Sequence, residues 1–297
     1  MVKYIATTGF FDGVHRGHAA VLNRLKETGL SLNLPVCAVT FWPHPRMVLN
    51  SEPEKPKLLS SVEEKKQRIE TLGIDRVIVI PFTEELADMS PKQFIADELV
   101  AKYNIAGLCV GYDHHIGKNR TGGFDTIKRI CNDLGLYCEQ VQPFLVDNKV
   151  ISSQKIRKHL AEGNVEEANS MLGYTYTLSG TVVHGKKLGR IIGFPTANIE
   201  VNSLKLIPRD GVYAVRVDVN NRRNLKGMLY IGKKSGTDGS GKTFIEVNIF
   251  DFDGDIYSRE ISVGLEHFVR NNMIFDSIDD LQARIIKDKE NIQKYFG

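Results

Sequence analysis

The apolar residues of this chain change rhythm near residue 173, and that change sorts the chain into two kinds of sheet. Up to Gly173, continuous apolar runs at residues 4–7, 36–41, 77–80, 108–110 and 136–141 alternate with amphipathic stretches. Short runs rich in β-branched residues fit strands buried on both faces, the mark of a parallel sheet. Residues 17–27, 62–72 and 91–102 read as helices between them, the last with Ser90 as N-cap and Pro91 at the first helical position. Strands alternating with helices predict a doubly wound α/β domain. After Gly173, residues 176–183, 212–219 and 244–249 alternate with period two and are separated by Gly- and Asn-rich turns. This pattern predicts an antiparallel β-domain, a closed barrel. A closing helix over 279–295 carries Leu281, Ile285, Ile286 and Ile292 on one face. The expected domains are residues 1–173 and 174–297.

Composition excludes several classes. With 42% hydrophobic residues and a formal charge of only +3, the 297-residue chain is not a disordered one. The same mild charge, with a pI ≈ 8.5, argues against a nucleic-acid partner, which calls for a concentrated basic face. No apolar run approaches the ~20 residues needed to span a bilayer, and the N-terminus does not read as a signal peptide. Cys37, Cys109, Cys131 and Cys138 form no C-x-x-C pair. A structural zinc site is not expected, and the reducing cytoplasm is the expected compartment.

Two strings carry chemistry. The first strand runs into Gly9-Phe10-Phe11-Asp12-Gly13-Val14-His15-Arg16-Gly17-His18, followed by a helix. A glycine-rich turn at a helix N-terminus favours phosphate through free N–H groups and the helix dipole. His15 and His18, three apart, share a face there and are placed to donate to phosphate oxygens as charge builds. The spacing is not that of a zincin, and neither G-x-x-x-x-G-K-[ST] nor G-x-G-x-x-G occurs. A capping turn bearing two surface histidines is the plain alternative.

The second string is Gly185-Lys186-Lys187-Leu188-Gly189-Arg190-Ile191-Ile192-Gly193-Phe194-Pro195-Thr196-Ala197-Asn198. Its glycines and lysines fit a loop that covers phosphates, although a basic hairpin has the same composition. Thr196 and Asn198 face one side of an extended chain, and their oxygens suit Mg²⁺ held together with nucleotide phosphates.

Beyond these readings, Gly9 to His18 resembles the HxGH signature of the nucleotidyltransferase superfamily, in the form found in the adenylyltransferase half of bacterial bifunctional riboflavin kinase/FAD synthetases. Phe41-Trp42-Pro43-His44-Pro45-Arg46 resembles the family's F-x-P-H-P block. Val110-Gly111-Tyr112-Asp113-His114-His115-Ile116-Gly117 resembles V-G-x-D-F-x-F-G, with His114 and Ile116 in place of aromatics. Ile151-Ser152-Ser153-Gln154-Lys155-Ile156-Arg157 resembles I-S-S-T-x-I-R, with Gln154 for Thr. The second string, with Pro208-x-x-Gly211-Val212-Tyr213-Ala214 and Phe244-Ile245-Glu246-Val247-Asn248-Ile249-Phe250-Asp251-Phe252, resembles the riboflavin kinase signature. Lys233-Lys234-Ser235-Gly236 departs from the family's Arg-Pro-Thr segment, and Arg270, Asn272 and Phe275 stand where it has R-x-E-x-x-F.

The resemblance implies an enzyme that phosphorylates riboflavin with Mg-ATP and then adenylylates FMN to FAD, releasing pyrophosphate. It assigns the catalytic base of the kinase to Glu246, which taken alone is an ordinary strand residue. It assigns kinase ATP contacts to Gly185, Lys186, Gly189, Arg190, Gly193, Pro195, Thr196 and Asn198, with Thr196 and Asn198 at the metal. Glu246, Arg270 and Phe275 would meet the flavin. For adenylyl transfer it implies His15, His18 and Arg157 as catalytic residues, with Gly9, Phe10, Asp12, Gly111, Asp113, Ser152 and Ser153 at the nucleotide. The expected partners are small molecules alone: riboflavin, FMN and ATP, with no nucleic acid and no membrane. Two other readings stay open at this point, a kinase with an inactive transferase half and a non-catalytic flavin- or nucleotide-binding regulator.

Overall fold

A computed structural model of the chain describes residues 2–49, 56–146, 149–185, 189, 192–233 and 243–297. Packing divides the chain into two compact units, Met1–Ser153 and Gln154–Gly297.

The first unit is built on five parallel strands: β1 (Tyr4–Thr8), β2 (Val36–Trp42), β3 (Arg76–Pro81), β4 (Ile105–Gly111) and β5 (Tyr137–Val141). Their order is β3-β2-β1-β4-β5. Neighbouring residues on one strand serve opposite cores. Ile5, Ala38 and Cys109 pack with Leu22, Leu25 and Ile69, whereas Ala6, Cys37 and Leu108 pack with Phe94, Ile95 and Leu99. Burial on both faces explains the unbroken apolar runs. The helices are α1 (Arg16–Leu32), α2 (Pro45–Leu49), α3 (Val62–Thr71), α4 (Glu84–Asp88), α5 (Pro91–Gln93) and α6 (Phe124–Asp133). The helix expected over 91–102 starts at its Ser90 cap but becomes π-helical from Phe94 to Lys102. Nothing in its apolar spacing distinguishes that wider winding. A two-strand hairpin, β6 (Leu145–Val146) and β7 (Lys149–Val150), completes the unit.

The second unit begins with α7 (Ser153–Glu162), all but its first residue, and α8 (Val165–Leu172). Six strands follow: β8 (Thr177–Val183), β9 (Ala197–Val201), β10 (Gly211–Val219), β11 (Arg222–Lys233), β12 (Thr243–Ile249) and β13 (Glu260–Arg270). They close a barrel in the order β10-β11-β12-β9-β8-β13. Tyr213, Val215, Leu229, Ile231 and Val247 are buried at 0–1% exposure. The intervening Val212, Ala214 and Met228 lie under Ile292 of the closing helix, Ile278–Phe296. Ile286, expected on the inner face of that helix, is 45% exposed. It follows Ile285 by one residue, about 100° around the helix, and so turns away.

The division in packing falls after the first residue of α7, whereas the sequence pattern places a boundary at Gly173. Asn169 on α8 accounts for part of this. Its side chain donates to the Leu265 carbonyl at 2.8 Å and accepts from the Tyr176 amide at 2.7 Å, so the helix is fastened to the barrel.

Candidate active sites

In the first unit the strand order reverses between β1 and β4. In open α/β sheets, the carboxyl ends of the strands at such a switch point form the ligand crevice. Gly9 to His18 leaves β1 there, and Gly111 to His115 leaves β4. Thr8 Oγ1 and His114 Nε2, 2.8 Å apart, join the two segments.

The turn after β1 is strained. Phe11 has φ 50 and Val14 has φ 36, both in the left-handed region that non-glycine residues avoid. What holds it is a knot around Asp12, which is only 4% exposed. The Leu59 amide donates to the Asp12 carboxylate at 3.0 Å and the Ser60 amide at 3.2 Å, and the Gly13 amide donates to Ser60 Oγ at 3.0 Å. Ser153 Oγ adds a hydrogen bond to the Asp12 carbonyl at 3.0 Å. The Asp12 carboxylate, expected at the nucleotide, therefore serves the turn itself.

His15 caps α1, its Nδ1 accepting from the His18 amide at 3.3 Å. That acceptor role leaves the proton on Nε2. The two imidazoles stack at 3.6 Å. They are not the surface pair of the plain capping-turn reading: His15 is 5% exposed, and His18 Nδ1 is sealed from solvent with no hydrogen-bond partner. Burial, then His15, then Lys65 hold His18 well below the usual histidine range, so it is neutral at pH 7. A Cβ on Gly17 would lie 3.2 Å from the His15 ring, so glycine leaves room for this stack.

The departures at His114 and Ile116 have structural counterparts. His114 bonds Thr8, and Ile116 is buried at 7% exposure beside Phe94 and Ile127. Asp113 is exposed, its carbonyl joined to His115 Nδ1 at 2.9 Å. Phe10 packs edge-on against His44 of the F-x-P-H-P block, with ring centroids 4.1 Å apart. Gly9, Phe10, Asp12, His15, His18, Gly111, Asp113, Ser152 and Ser153 all belong to this unit, and Arg157 lies on α7 in the second.

In the second unit the register lines up a row across the outer barrel face. Asn198 on β9 pairs with Glu246 on β12, Glu246 with Tyr230 on β11, Tyr230 with Val212 on β10, and Val212 with Arg270 on β13. Thr196 Oγ1 donates to Glu246 Oε2 at 3.2 Å. A Cβ on Gly185 would come within 2.1 Å of Asn198 Nδ2, and one on Gly189 within 3.2 Å of Thr196 Oγ1. Glycine thus lets the loop backbone reach both side chains. The Phe194 amide donates to the Gly189 carbonyl at 2.7 Å, and Gly193 takes φ 79 between them. The Pro195 carbonyl accepts from Asn248 Nδ2 at 2.7 Å. Lys186 and Arg190 lie outside the described residues, as do Lys234, Ser235 and Gly236.

A cavity of about 350 Å³ opens beside Thr196, walled by Pro195, Val247 and residues 252–257. The His184 ring stacks on Tyr257 at 4.1 Å, fastening the loop's start to that wall. Sequence reasoning missed residues 253–257, which have no periodicity or motif to mark them, and Tyr230, an ordinary strand aromatic. At the other end of the row, Arg270 is engaged by the fully buried Asp288 through Nε at 2.7 Å and Nη2 at 2.6 Å. Asn272 donates to the Ile231 carbonyl at 3.2 Å, and Phe275 is partly buried.

Comparison with known proteins covers both units. The FAD synthetase family model matches residues 2–155, and the riboflavin kinase family model matches residues 172–296. Proteins named bifunctional riboflavin kinase/FMN adenylyltransferase are similar along the whole length. The one from Listeria monocytogenes is 37% identical, covering 100% of this chain and 93% of its own. Those from Bacillus subtilis (37%) and Escherichia coli K12 (36%) each align over 99% of this chain and 93% of their own. A crystal structure described as a macrolide-efflux protein from Streptococcus pneumoniae superposes with a TM-score of 0.90 at 29% identity, over 98% of this chain and 94% of that one. Among the described residues here, no helix is long and apolar enough to cross a membrane.

Proposed function

Since the chain belongs to the bifunctional riboflavin kinase/FMN adenylyltransferases, we propose how its two units divide the two transfers. The enzyme phosphorylates riboflavin to FMN and adenylylates FMN to FAD, with ATP as the donor in both steps.

In the barrel, Glu246 takes the proton from the ribityl 5′-hydroxyl as that oxygen attacks the ATP γ-phosphorus and ADP leaves. The observation that carries this is the convergence of Glu246, Thr196 and Asn198 where the glycine-rich loop closes on β9. The hydroxyl, amide and carboxylate oxygens gathered there fit Mg²⁺, a hard cation that prefers oxygen and keeps phosphate ligands. Thr196 and Asn198 would hold it, and when bound it would neutralise charge on the transferring phosphate. Gly185, Lys186, Gly189, Arg190 and Gly193 would cover the phosphates, and Pro195 and the 350 Å³ cavity would seat the nucleoside. Arg270 and Phe275 would face the flavin.

In the first unit, the FMN phosphate attacks the ATP α-phosphorus and pyrophosphate leaves. The N-terminus of α1 and the imidazoles of His15 and His18 would stabilise the charge that develops. Gly9, Phe10, Gly111, Asp113, Ser152 and Ser153 would surround the nucleotide. We place the enzyme in the cytoplasm, acting on small molecules.

One incubation with riboflavin, ATP and Mg²⁺, followed by chromatography of the flavins, tests the division. Both FMN and FAD are expected. In the Glu246→Gln enzyme FMN synthesis should fail while supplied FMN still yields FAD.

A further inference from the structure

Lys65 is a buried charge that neither motif accounts for. It lies one turn into α3, a helix rich in solvated charge, yet it is only 2% exposed. Its Nζ donates to the Phe10 carbonyl at 2.8 Å and to Thr40 Oγ1 at 2.9 Å, and stands 4.1 Å from the centroid of the Phe10 ring. The helix start is fixed. Ser61 Oγ accepts from the Glu64 amide at 3.1 Å, and Glu64 Oε2 accepts from the Ser61 amide at 3.0 Å. Immediately before it, the Leu59 and Ser60 amides hold Asp12. Residues 59–65 therefore grip the strained turn at two points, Asp12 and Phe10.

Burying an ammonium is costly, and its two hydrogen-bond acceptors here are neutral, so the offset comes from the buried Asp12 carboxylate of the same turn. The charge is thus balanced against the turn it grips and held away from solvent. We propose that Lys65 is a positioning residue for adenylyl transfer: it holds the Gly9–Gly13 turn through the Phe10 carbonyl and sets a fixed positive charge beside the phosphate-binding helix start. This rests on the reading that places adenylyl transfer at His15 and His18.

Burial pushes Lys65 down to about 8, against the pull of Asp12. The titratable groups facing it are Asp12 of the turn and His18 of α1; His15 stacks on His18, and His44 packs against the Phe10 ring. On its own helix, Glu64 is turned back to the Ser61 amide. The wild-type transfer rate should therefore decline above about pH 8 as Lys65 loses its proton.

The test is Lys65→Met in the full-length enzyme. Its fold is followed by the emission of Trp42, the sole tryptophan, at the end of β2. FAD formation from FMN should fall by about 10²-fold, the size of effect that misplacing a reacting group by an ångström produces. Riboflavin phosphorylation should be unchanged, and the alkaline decline should vanish. A folded variant that makes FAD within a few-fold of wild type overturns the proposal. If the variant does not fold, the wild-type profile decides: no decline above about pH 8 overturns it too. His18→Ala runs alongside. If it keeps full FAD synthesis, the site reading falls and this inference with it. If it loses FAD synthesis while Lys65→Met keeps it, only this inference falls.

Discussion

Glu246 and His18 are single residues whose removal should separate the two chemistries. Glu246→Gln keeps the hydrogen bond from Thr196 but removes the proton acceptor. Kinase turnover should fall by roughly 10²–10⁴, with FAD formation from FMN and the melting temperature unchanged, as two rate assays and one thermal scan will show. His18→Ala should cut FAD formation by roughly 10²–10³ and spare the kinase. Lys65 carries a prediction about stability as well. Folded, it holds its proton with a pKa of about 8, against 10.5 in the unfolded chain. Between those values the unfolded chain binds more protons, so this group's contribution to stability rises with pH. Wild type should therefore gain on Lys65→Met across that window, by at most ~1.4 kcal/mol per pH unit, measured by urea titration at Trp42. The histidines and Glu246 stand out in the sequence only through the family blocks they lie in. Lys65 does not, because it sits beside Lys66 in a charged helix and only tertiary packing tells a buried lysine from a solvated one.

The elements were legible where one rule dominates. Burial on both faces marked β1 to β5, and period-two alternation marked β8, β10 and β12, as did the Ser-Pro start of α5. The π-helical turn from Phe94 and the hairpin of β6 and β7 depend on local hydrogen bonding that apolar spacing does not record. In the closing helix, Asp288 has no exposure and accepts from Arg270 and from Arg284 Nε at 3.0 Å. A polar residue at a core position of an amphipathic pattern reads as a surface one, so this tie was invisible in advance. Asp288→Ala leaves two guanidinium groups without their partner, and breaking a buried pair this way costs about 3–5 kcal/mol. Calorimetry should show the second unit melting earlier, with kinase activity reduced because Arg270 is released.

At the scale of the molecule, the two packing units predict two separable enzymes. A fragment of residues 154–297 should make FMN and no FAD. A fragment beginning at Leu172 should do the same but melt at a lower temperature, because it lacks Asn169, which holds Leu265 and Tyr176, and the fully buried Leu160, whose carbonyl accepts from the Arg209 amide at 3.0 Å. Thermal scans of the two fragments check this, and equal melting temperatures would count against it. The row across the barrel carries a further consequence. The barrel closes through six strands, so β12, which carries Glu246, and β13, which carries Arg270, stand three steps apart whichever way round they are counted. In a closed barrel no strand slides without breaking the closure. The spacing between Glu246 and Asn198, paired across β12 and β9, is therefore set by the closure of the whole wall, and a strain anywhere around the ring reaches that pair.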